Sequence, residues 1–481
     1  MTNILARIKS LGYAAAVTSG INKLNVLMHD KLTSMARSLR CMQRARVIDP
    51  ANVAIALIAY TGGNGNCHSE GFSLASFMAY AQKNFSFQVT RRAFHNFLEK
   101  EGFLLLMHSV LRRLSACVHD SFSHTANELI YVFSTAVAIA DICEVDGCEL
   151  RVIPSCHKLF KCKAKTKAKA KYFVDEKPAG IKIHFGYSPI SSKPIFAVIT
   201  EAIGNEKEFV TSFANTDPKK RTLYLCDKGY VSEKLWGSIH GMGHYFVIKG
   251  KENMAATVLS AHDRHGNRLP ELEGKRVNVK LSSKYDLVDY MVQTSKGNVV
   301  RVVRAYSKKA KKYVFFVTNI EQNDIHGDII ADVYRIRWQQ EIFHKALKSF
   351  NGLQTLNTRH PGKILLFIIA SICSYLLKLI IGQHISKKSK STSEKSILRI
   401  QQYVPCSMKL LKGMLKGSRH MIYDSLNEIA RDVGQFIYRY APSKRDMLQG
   451  KDMPVLTKKI RETYRSTRGQ LIQNPISISF S

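Results

Sequence analysis

The fold is decided by residues 332–350, which read DVYRIRWQQEIFHKALKSF. A helix turns about 100° per residue, so spacing alone assigns each side chain to a face. One face collects polar side chains within an arc of roughly 60°: Tyr334, Arg337, Glu341 and Lys348. The opposite face is apolar and contains Ile336, Phe343, Ala346, Leu347 and Phe350. The segment therefore predicts a helix that packs on a core and presents a carboxylate among cations and a phenol.

Other interpretations of this helix stay open at the level of sequence. If the helix restarts near Trp338, Tyr334 leaves the polar arc. Glu341 and Lys348 then still align, two turns apart. The helix could also be an amphipathic surface helix held by salt bridges. A Glu-x-x-His metal motif at Glu341 and His344 is disfavoured, because a di-iron bundle needs a second such motif on a facing helix.

Two acids upstream end apolar strands. Asp146 follows ICEV and precedes Gly147, and Asp227 follows LYLC and precedes a Lys-Gly-Tyr turn. An acid at the carboxyl end of a buried strand lies at the rim of a sheet, where catalytic groups gather. Each signal alone is weak, since Asp-Gly is also a common turn. With Glu341 they make three carboxylates, two on strands and one on a helix.

The order and spacing of these residues resemble the DDE transposases of bacterial insertion sequences, in particular the insertion-sequence-four (IS-four) family. That family's signature is Tyr-x2-Arg-x3-Glu-x6-Lys, and the chain matches all four positions between residues 334 and 348. The resemblance covers roughly residues 135–385. One departure is Cys148, where members usually carry Ser or Thr, and it leaves Asp141 open as the first acid, with Asp146 favoured.

The resemblance implies an α/β fold with a ribonuclease-H-like mixed-sheet core at residues 135–251 and 326–385. A β-rich insertion is expected at 252–325, and the sequence there independently reads as strands: RVNVKL, YDLVDYMVQ, VVRVVRAYS and KYVFFVTN. Flanking helical regions are predicted at 1–125, a DNA-binding domain, and at 386–481, mainly helical. The fold would place Asp146 and Asp227 on neighbouring strands, with Glu341 brought alongside by its helix.

The resemblance also implies a chemistry. Asp146, Asp227 and Glu341 would be the catalytic residues and would bind two Mg²⁺ ions, with Mn²⁺ able to substitute. The enzyme would cut insertion-sequence ends and join the freed 3′-hydroxyl to target DNA. The alternatives are an inactive DNA-binding relic or inhibitor of transposition, and a stand-alone metal-dependent nuclease.

Four further residues are implied as DNA-binding by the same resemblance. Arg337 and Lys348 would clamp phosphates near the transposon end, because a planar guanidinium suits a phosphate. Tyr334 would contact the same backbone. Trp338 would stack on an extruded base or, as an equal alternative, pack under its own helix.

The net charge favours nucleic acid as a partner. The chain has 72 Lys and Arg against 37 Asp and Glu, a formal charge of +35, which attracts phosphate polymers or anionic membranes. The apolar run at 364–381 is short for a membrane span and contains Lys378, so it predicts a buried core helix. The start of the chain lacks the apolar run of a signal peptide. We expect DNA ends and target DNA as partners, a homodimer in a paired-end complex, no membrane, and a cytoplasmic, nucleoid-associated location in a bacterium.

The N-terminal region contains a candidate DNA-reading element. Apolar spacing predicts a helix around Leu74, and Thr90 is a plausible N-cap of a second helix that stops at Gly102. Arg91 and Arg92 would then lie on the leading turn of a helix-turn-helix. An ordinary helical hairpin with a basic face is the alternative.

Two other features are less informative. The ten cysteines form no CxxC pair, and the loose group around Cys143, Cys148 and Cys156 fits no common zinc module, so free thiols are expected. Residues 390–481 could supply the dimer contact or further DNA contacts, and the sequence does not rank these roles. The basic residues concerned are Lys387, Lys388, Lys390, Lys409, Lys412 and Lys416.

Overall fold

A computed structural model describes most of the chain between residues 27 and 438. The described ranges are 27–42, 47–64, 72–118, 124–156, 158, 160–161, 179–203, 221–252, 254–277, 284–307, 311–353, 355–358, 360–388 and 396–438. Most of the lysine-rich run at 161–171, Lys390 and residues 439–481 lie outside these ranges, as do the side chains of Lys387 and Lys388.

One mixed sheet organises the molecule, so the chain is an α/β protein. Its strands are β1 (Asp141–Val152), β2 (Ala179–Ser188), β3 (Lys193–Glu201), β4 (Thr222–Cys226), β5 (Tyr245–Lys249), β6 (Ala256–Asp263), β7 (Leu287–Thr294), β8 (Val299–Ser307), β9 (Lys312–Thr318) and β10 (Thr355–Leu356). Their order is β3-β2-β1-β4-β5-β9-β8-β7-β6, and β10 pairs with β1. Strands β1, β4 and β5 run parallel, whereas β2 runs antiparallel to β1 and β3.

The stretch predicted as a β-rich insertion continues this sheet. Strand β9 pairs antiparallel with β5, and β8, β7 and β6 follow as antiparallel neighbours. Three of the four predicted strand segments are confirmed as β7, β8 and β9. The fourth, RVNVKL, lies mostly outside the described residues, and sequence reasoning missed β6. The alternating pattern detects strands but not their neighbours, so the shared sheet was visible only in three dimensions.

The N-terminal region is helical as predicted. Its helices are α1 (His29–Ser38), α2 (Pro50–Ala59), α3 (Leu74–Phe85), α4 (Arg91–Leu98), α5 (Glu101–Cys117) and α6 (His124–Val137). Thr90 is confirmed as an N-cap, because its hydroxyl accepts a hydrogen bond from the Ala93 amide at 3.2 Å. The expectation that Gly102 ends α4 is wrong. Gly102 lies inside α5, where a Cβ atom would sit 2.5 Å from the Leu39 carbonyl oxygen. Glycine at this position allows α5 to lie close against the backbone that follows α1, rather than ending a helix.

The remaining helices follow the sheet in sequence or connect its strands. They are α7 (Glu233–Gly241), α8 (Gly327–Tyr334), α9 (Trp338–Phe350), α10 (Pro361–Lys388), α11 (Ile397–Tyr403), α12 (Met408–Lys416) and α13 (Arg419–Val433). The described residues include one helix long and apolar enough to cross a membrane, residues 361–386 of α10, and its apolar window is fully buried.

Helix α10 is a core helix, as its sequence predicted. The Lys378 ammonium group donates to the backbone carbonyls of Phe350 at 3.0 Å and Gln401 at 3.1 Å. The Tyr375 hydroxyl donates to the Ser192 carbonyl at 3.0 Å. The polar groups of Lys378 and Tyr375 are thus satisfied by protein, which is what a buried position requires.

One hydrophobic core spans regions far apart in sequence. It contains side chains from α1 to α5, from β1 and β2, from α9 and α10, and from α11 to α13. The N- and C-terminal helices therefore pack on the same helix-covered face of the sheet that carries Cys148 and Phe185. The division into four sequence regions stays a prediction.

Candidate active site

Asp146 and Asp227 follow paired positions on adjacent parallel strands. Val145 of β1 is the register partner of Cys226 of β4, and each aspartate is the next residue along its chain. Asp146 still lies within β1, opposite Phe185 of β2, and its Oδ1 accepts from the Gly147 amide at 2.8 Å. Asp227 precedes a 3₁₀ turn, Lys228–Tyr230.

The alternative first acid, Asp141, lies at the other end of the pairing with β4. Its register partner is Thr222, the first residue of β4. Its Oδ1 accepts from the Ser188 hydroxyl at 2.9 Å. Asp141 therefore has a local structural partner at the start of β1, away from the end where Asp227 follows β4.

The signature segment is not one continuous helix. Helix α8 ends at Tyr334, a 3₁₀ turn occupies Arg335–Arg337, and α9 begins at Trp338. The interpretation in which the helix restarts near Trp338 is thus correct, and the single polar arc is wrong. A 3₁₀ turn has fewer residues per turn than an α-helix, so it breaks the regular 100° spacing that the arc assumed.

Arg337 joins two of the three acids. Its Nη1 donates to Asp146 Oδ2 at 3.1 Å, and its Nη2 donates to Glu341 Oε1 at 2.6 Å. The side chains are 14% exposed for Arg337, 26% for Asp146 and 38% for Glu341. Burial acts to lower the pKa of Arg337, but Tyr334 and the surrounding carboxylates outweigh it and raise that pKa above its usual value. The guanidinium is therefore a fixed positive charge at the centre of the cluster.

Tyr334 joins the third acid. Its hydroxyl donates to Asp227 Oδ1 at 3.3 Å, and its ring packs against Phe316 with 5.0 Å between centroids. The Arg337 guanidinium lies 5.8 Å from the same ring centroid. Burial raises the pKa of Tyr334 above its usual value, so the hydroxyl is a proton donor at neutral pH. Tyr334 thus binds one carboxylate and Arg337 binds the other two, and the contact between the guanidinium and the Tyr334 ring brings these two hydrogen-bonded groups together.

Lys348 lies beside β1, where it contacts Cys148, the second residue after Asp146. Burial raises the pKa of the Cys148 thiol to about 11, and the nearby Lys348, which hydrogen-bonds to it, acts in the opposite direction. A thiol with this pKa stays protonated at neutral pH. The residue that departs from the family pattern thus neighbours the last signature residue.

His344 has a packing role in the described structure. Its ring centroid lies 5.6 Å from that of Phe185 and 5.8 Å from that of Phe343. Burial lowers its pKa to about 3, so it is neutral. No group of three or more His, Cys, Asp or Glu residues in the described ranges is arranged to hold a metal ion, and this applies to Asp146, Asp227 and Glu341 as they stand as well as to His344. The described cysteines are free thiols, as expected.

Trp338 and the basic pair of α4 are solvent-facing. Trp338 is 63% exposed, so the alternative that it packs under its own helix is wrong. Arg91 and Arg92 are exposed on the first turn of α4. Among described residues, no hydrogen bond or ion pair connects these two arginines to the acidic cluster, so the structure leaves them as a separate basic feature.

Sequence reasoning missed Glu144. This glutamate is completely buried on β1, two residues before Asp146. Its Oε2 accepts from the Gln340 amide at 2.8 Å, and its Oε1 has no partner among the described residues. Burial raises the pKa of Glu144 well above its usual range. The available signal was a charged residue inside the apolar run ICEV, which a buried strand does not tolerate without a reason.

The donor set suits a hard divalent cation. Asp146, Asp227 and Glu341 offer carboxylate oxygens, which Mg²⁺ prefers, and all three are partly exposed. Arg337 engages one oxygen of Asp146 and one of Glu341. The residues fit a metal by their chemistry, on the condition that the guanidinium gives up these two oxygens.

Comparison with known proteins shows which proteins this chain is similar to. Residues 142–377 match the protein family described as Transposase DDE domain. The chain is similar to the transposase of insertion sequence element IS421 from Escherichia coli, with 32% identity over 77 residues, 16% of this chain and 21% of that protein. The same values apply to InsL of insertion sequence element IS186A from Escherichia coli strain K12. The chain thus spans about a fifth of the length of the curated relatives it matches.

Proposed function

Because residues 142–377 belong to the transposase DDE domain family of insertion-sequence proteins, we propose that this protein is a DNA transposase. It cuts insertion-sequence ends and joins the freed 3′-hydroxyl to target DNA. The Tyr-Arg-Glu-Lys spacing assigns it to the IS-four family. The observation that carries the proposal is that Arg337 bonds both Asp146 and Glu341 while Tyr334 bonds Asp227.

We propose a ribonuclease-H-like core for the sheet. Support comes from β1, β4 and β5, which are parallel neighbours, and from the antiparallel β2 beside β1. Asp146 then lies within β1, Asp227 directly follows the adjacent β4, and α9 packs on β1 with Glu341 in its first turn. This is the arrangement that the family resemblance implies for two strand acids and one helix acid.

Asp146, Asp227 and Glu341 are the residues that would hold divalent cations. Two Mg²⁺ ions held there would stabilise charge on the attacking and leaving oxygens of a phosphodiester, and Mn²⁺ accepts the same ligands. No protein nucleophile is required for this chemistry. The described cluster contains carboxylates, a guanidinium and a protonated phenol.

The cations and aromatic groups around the acids would position DNA. Once Arg337 leaves the carboxylates, its planar fork can donate two hydrogen bonds to a phosphate. Lys348 beside β1 and the Tyr334 hydroxyl would contact the same backbone. The exposed Trp338 ring is free to stack on a base. Arg91 and Arg92, exposed on α4, would contact the duplex elsewhere, and the charge of +35 supports long backbone contacts.

A transposase of this kind would work on two DNA ends as a homodimer, on the bacterial nucleoid in the cytoplasm.

The C-terminal lysines keep both proposed roles, dimer contact or DNA contact. Lys409 forms an ion pair with Glu428 at 2.7 Å, and Lys412 lies over the Phe85 ring at 5.5 Å. Both lysines thus belong to a surface formed by α3, α12 and α13.

Two other functions remain candidates under the same fold. A DNA-binding relic or inhibitor would keep the fold without turnover. The presence of all three acids argues against it, because a protein without catalytic turnover does not need them. A stand-alone nuclease would cleave without joining. The family match favours the transposase, and strand-transfer products separate the two enzymes.

The test is cleavage and joining of labelled DNA that carries the element's own ends, with Mg²⁺. Wild type is expected to cut and join, whereas Glu341→Gln binds the same DNA without cutting. Glu252→Gln, which changes an exposed glutamate between β5 and β6, is the matched control and keeps wild-type activity. If Glu341→Gln cuts as wild type does, Glu341 is no catalytic ligand. If wild type binds its ends and is inert with Mg²⁺ and with Mn²⁺, the relic takes first place. Cleavage without joined products would favour the nuclease.

A further inference from the structure

We propose that Glu144 and Gln340 are positioning residues, a two-residue pin that sets Glu341 relative to Asp146. This inference rests on the proposed function, because it assigns the pin a role in metal-dependent strand cleavage. Neither residue belongs to the acidic triad or to the Tyr-Arg-Glu-Lys signature.

The pin connects α9 to β1 and β2. The Gln340 backbone amide donates to Glu144 Oε2 on β1 at 2.8 Å, and the Gln340 side-chain Nε2 donates to the Phe185 carbonyl on β2 at 2.9 Å. Phe185 is the register partner of Asp146, and Glu144 lies two residues before Asp146 on the same face of β1. Gln340 directly precedes Glu341. The first turn of α9 is thus held at two points, each adjacent to a catalytic acid.

Burial makes the pin rigid. Glu144 and Gln340 are both completely inaccessible to solvent. Water therefore cannot replace either hydrogen bond, and losing one leaves a buried polar group unsatisfied. A site whose ligands come from separate elements needs such support, since outer-shell partners fix the orientation of the ligands themselves.

Stability alone does not account for Glu144. A buried carboxyl with one unpartnered oxygen costs free energy, and an apolar residue of the same size would fill the strand position more favourably. The amide of an early helix residue could also be satisfied by an ordinary N-cap side chain. Glu144 reaches that amide from β1, so it ties the helix to the strand, which a cap within the helix segment cannot do.

The test compares Glu144→Gln, Glu144→Leu and Gln340→Met. Glu144→Gln keeps an oxygen acceptor for the Gln340 amide, Glu144→Leu removes it, and Gln340→Met removes the donor to Phe185. Val292→Ala, a buried position on β7 in the distant part of the sheet, is the control for lost stability. The readouts are kcat and KM for end cleavage, the melting temperature, and Mn²⁺ affinity measured by electron paramagnetic resonance.

We expect Glu144→Leu and Gln340→Met to lower kcat by about tenfold or more and to weaken Mn²⁺ binding by about 10-fold to 100-fold, with KM for DNA nearly unchanged. Glu144→Gln should restore most of both values. Val292→Ala should lower the melting temperature and leave kcat and Mn²⁺ affinity unchanged. If Glu144→Leu does not fold, Gln340→Met against Glu144→Gln carries the same comparison.

Two results would overturn the proposal. One is Glu144→Leu or Gln340→Met behaving like Val292→Ala, which would make the pair ordinary core. The other is Glu144→Gln being as impaired as Glu144→Leu, which would show that the acceptor is not what matters. If wild type cleaves no DNA, the proposed function fails, and the Mn²⁺ affinities still decide whether the pin positions Glu341.

Discussion

The Nη1 atom of Arg337 lies 3.1 Å from Oδ2 of Asp146, in a link between the turn before α9 and the centre of the sheet. The same guanidinium holds Glu341 at 2.6 Å. A guanidinium between two carboxylates neutralises charge at the place where a divalent cation would also be attracted. If the proposed divalent cations bind there, arginine and metal would compete for the same oxygens, and the phosphates of bound DNA would offer the arginine another partner.

Arg337→Ala is expected to lower the melting temperature in the absence of divalent ions, since the carboxylates then repel one another. Added Mg²⁺ should raise the melting temperature of the variant more than that of wild type, because no guanidinium has to be displaced. Differential scanning fluorimetry with and without millimolar Mg²⁺ measures both effects. Arg335→Ala, which removes the neighbouring ion pair with Asp332, is the control: Mg²⁺ should raise its melting temperature by the same amount as that of wild type. Equal Mg²⁺ responses of wild type and Arg337→Ala would show that the two cations do not compete.

Trp338→Ala should separate DNA contact from folding. Because the ring is 63% exposed, its removal should change the free energy of unfolding by no more than about 0.5 kcal/mol. Loss of a base-stacking contact worth about 1–3 kcal/mol should reduce end cleavage by about 5-fold to 150-fold. Urea denaturation and the cleavage assay measure the two quantities. Trp338→Phe, which keeps an aromatic face, should recover part of the activity; full activity in Trp338→Ala would exclude stacking.

His344 predicts an acid-sensitive contribution to stability. Its pKa is lowered to about 3 by burial, whereas an unfolded histidine titrates near pH 6.5. The unfolded state therefore takes up a proton that the folded state refuses, so stability is lost as pH falls below about 6.5. Lowering the pH from 7 to 5 should therefore lower the free energy of unfolding of the wild-type protein by up to about 2 kcal/mol. His344→Phe keeps a ring against Phe185 and should lack this loss.

The check is urea denaturation of both proteins across that pH range. His420→Gln, which removes an exposed histidine, controls for the loss of a histidine as such. A His344→Phe curve that runs parallel to the wild-type curve would show that His344 is protonated in the folded state as easily as in the unfolded state.

Arg301 and Asp289 form a buried pair between β8 and β7, with Nη2 at 2.6 Å from Oδ2. Arg301 also donates to the Ile320 carbonyl at 3.0 Å, in the loop that follows β9. Arg301→Leu leaves a buried carboxylate unpaired and should lower the free energy of unfolding by about 3–5 kcal/mol. The free energy of unfolding should fall clearly less in the double variant Arg301→Leu, Asp289→Leu than in Arg301→Leu alone, because no unpaired carboxylate is left. Urea denaturation of both variants is the measurement, and equal losses would mean that the packing, not the charge, is decisive.

Gly102→Ala should destabilise the protein although alanine is the better helix former. A Cβ at this position would lie 2.5 Å from the Leu39 carbonyl oxygen and 2.7 Å from the Cys41 amide nitrogen. Overpacking against backbone of this kind costs about 1–3 kcal/mol. Gly237→Ala in α7 meets no atom within 4 Å and should stabilise by up to about 1 kcal/mol. Thermal unfolding of the two variants should therefore shift in opposite directions.

Local patterns carried much of the prediction. The apolar strand that ends before Asp227 identified β4, and alternating residues identified β7, β8 and β9. The apolar run before Asp146 located β1, but the expectation that Asp146 ends this strand is wrong, because β1 continues to Val152. Thr90 could be identified as an N-cap from the sequence, because its hydroxyl accepts from the Ala93 amide, only three residues further along the chain. The apolar run with Lys378 identified a core helix, since a run of that length is more typical of a soluble core than of a membrane span. Each of these features depends on neighbours in sequence.

The spacing of residues 334–348, with the two strand acids, was enough to indicate the family and the candidate triad. Tertiary structure alone decided three things: that a 3₁₀ turn breaks the helix before Trp338, that Gly102 lies against the backbone that follows α1, and that Glu144 reaches the Gln340 amide. The physical reason is the same in each case. Hydrogen bonds and close contacts between residues distant in sequence depend on how strands and helices pack, and side-chain periodicity records which face is buried but not what lies against it.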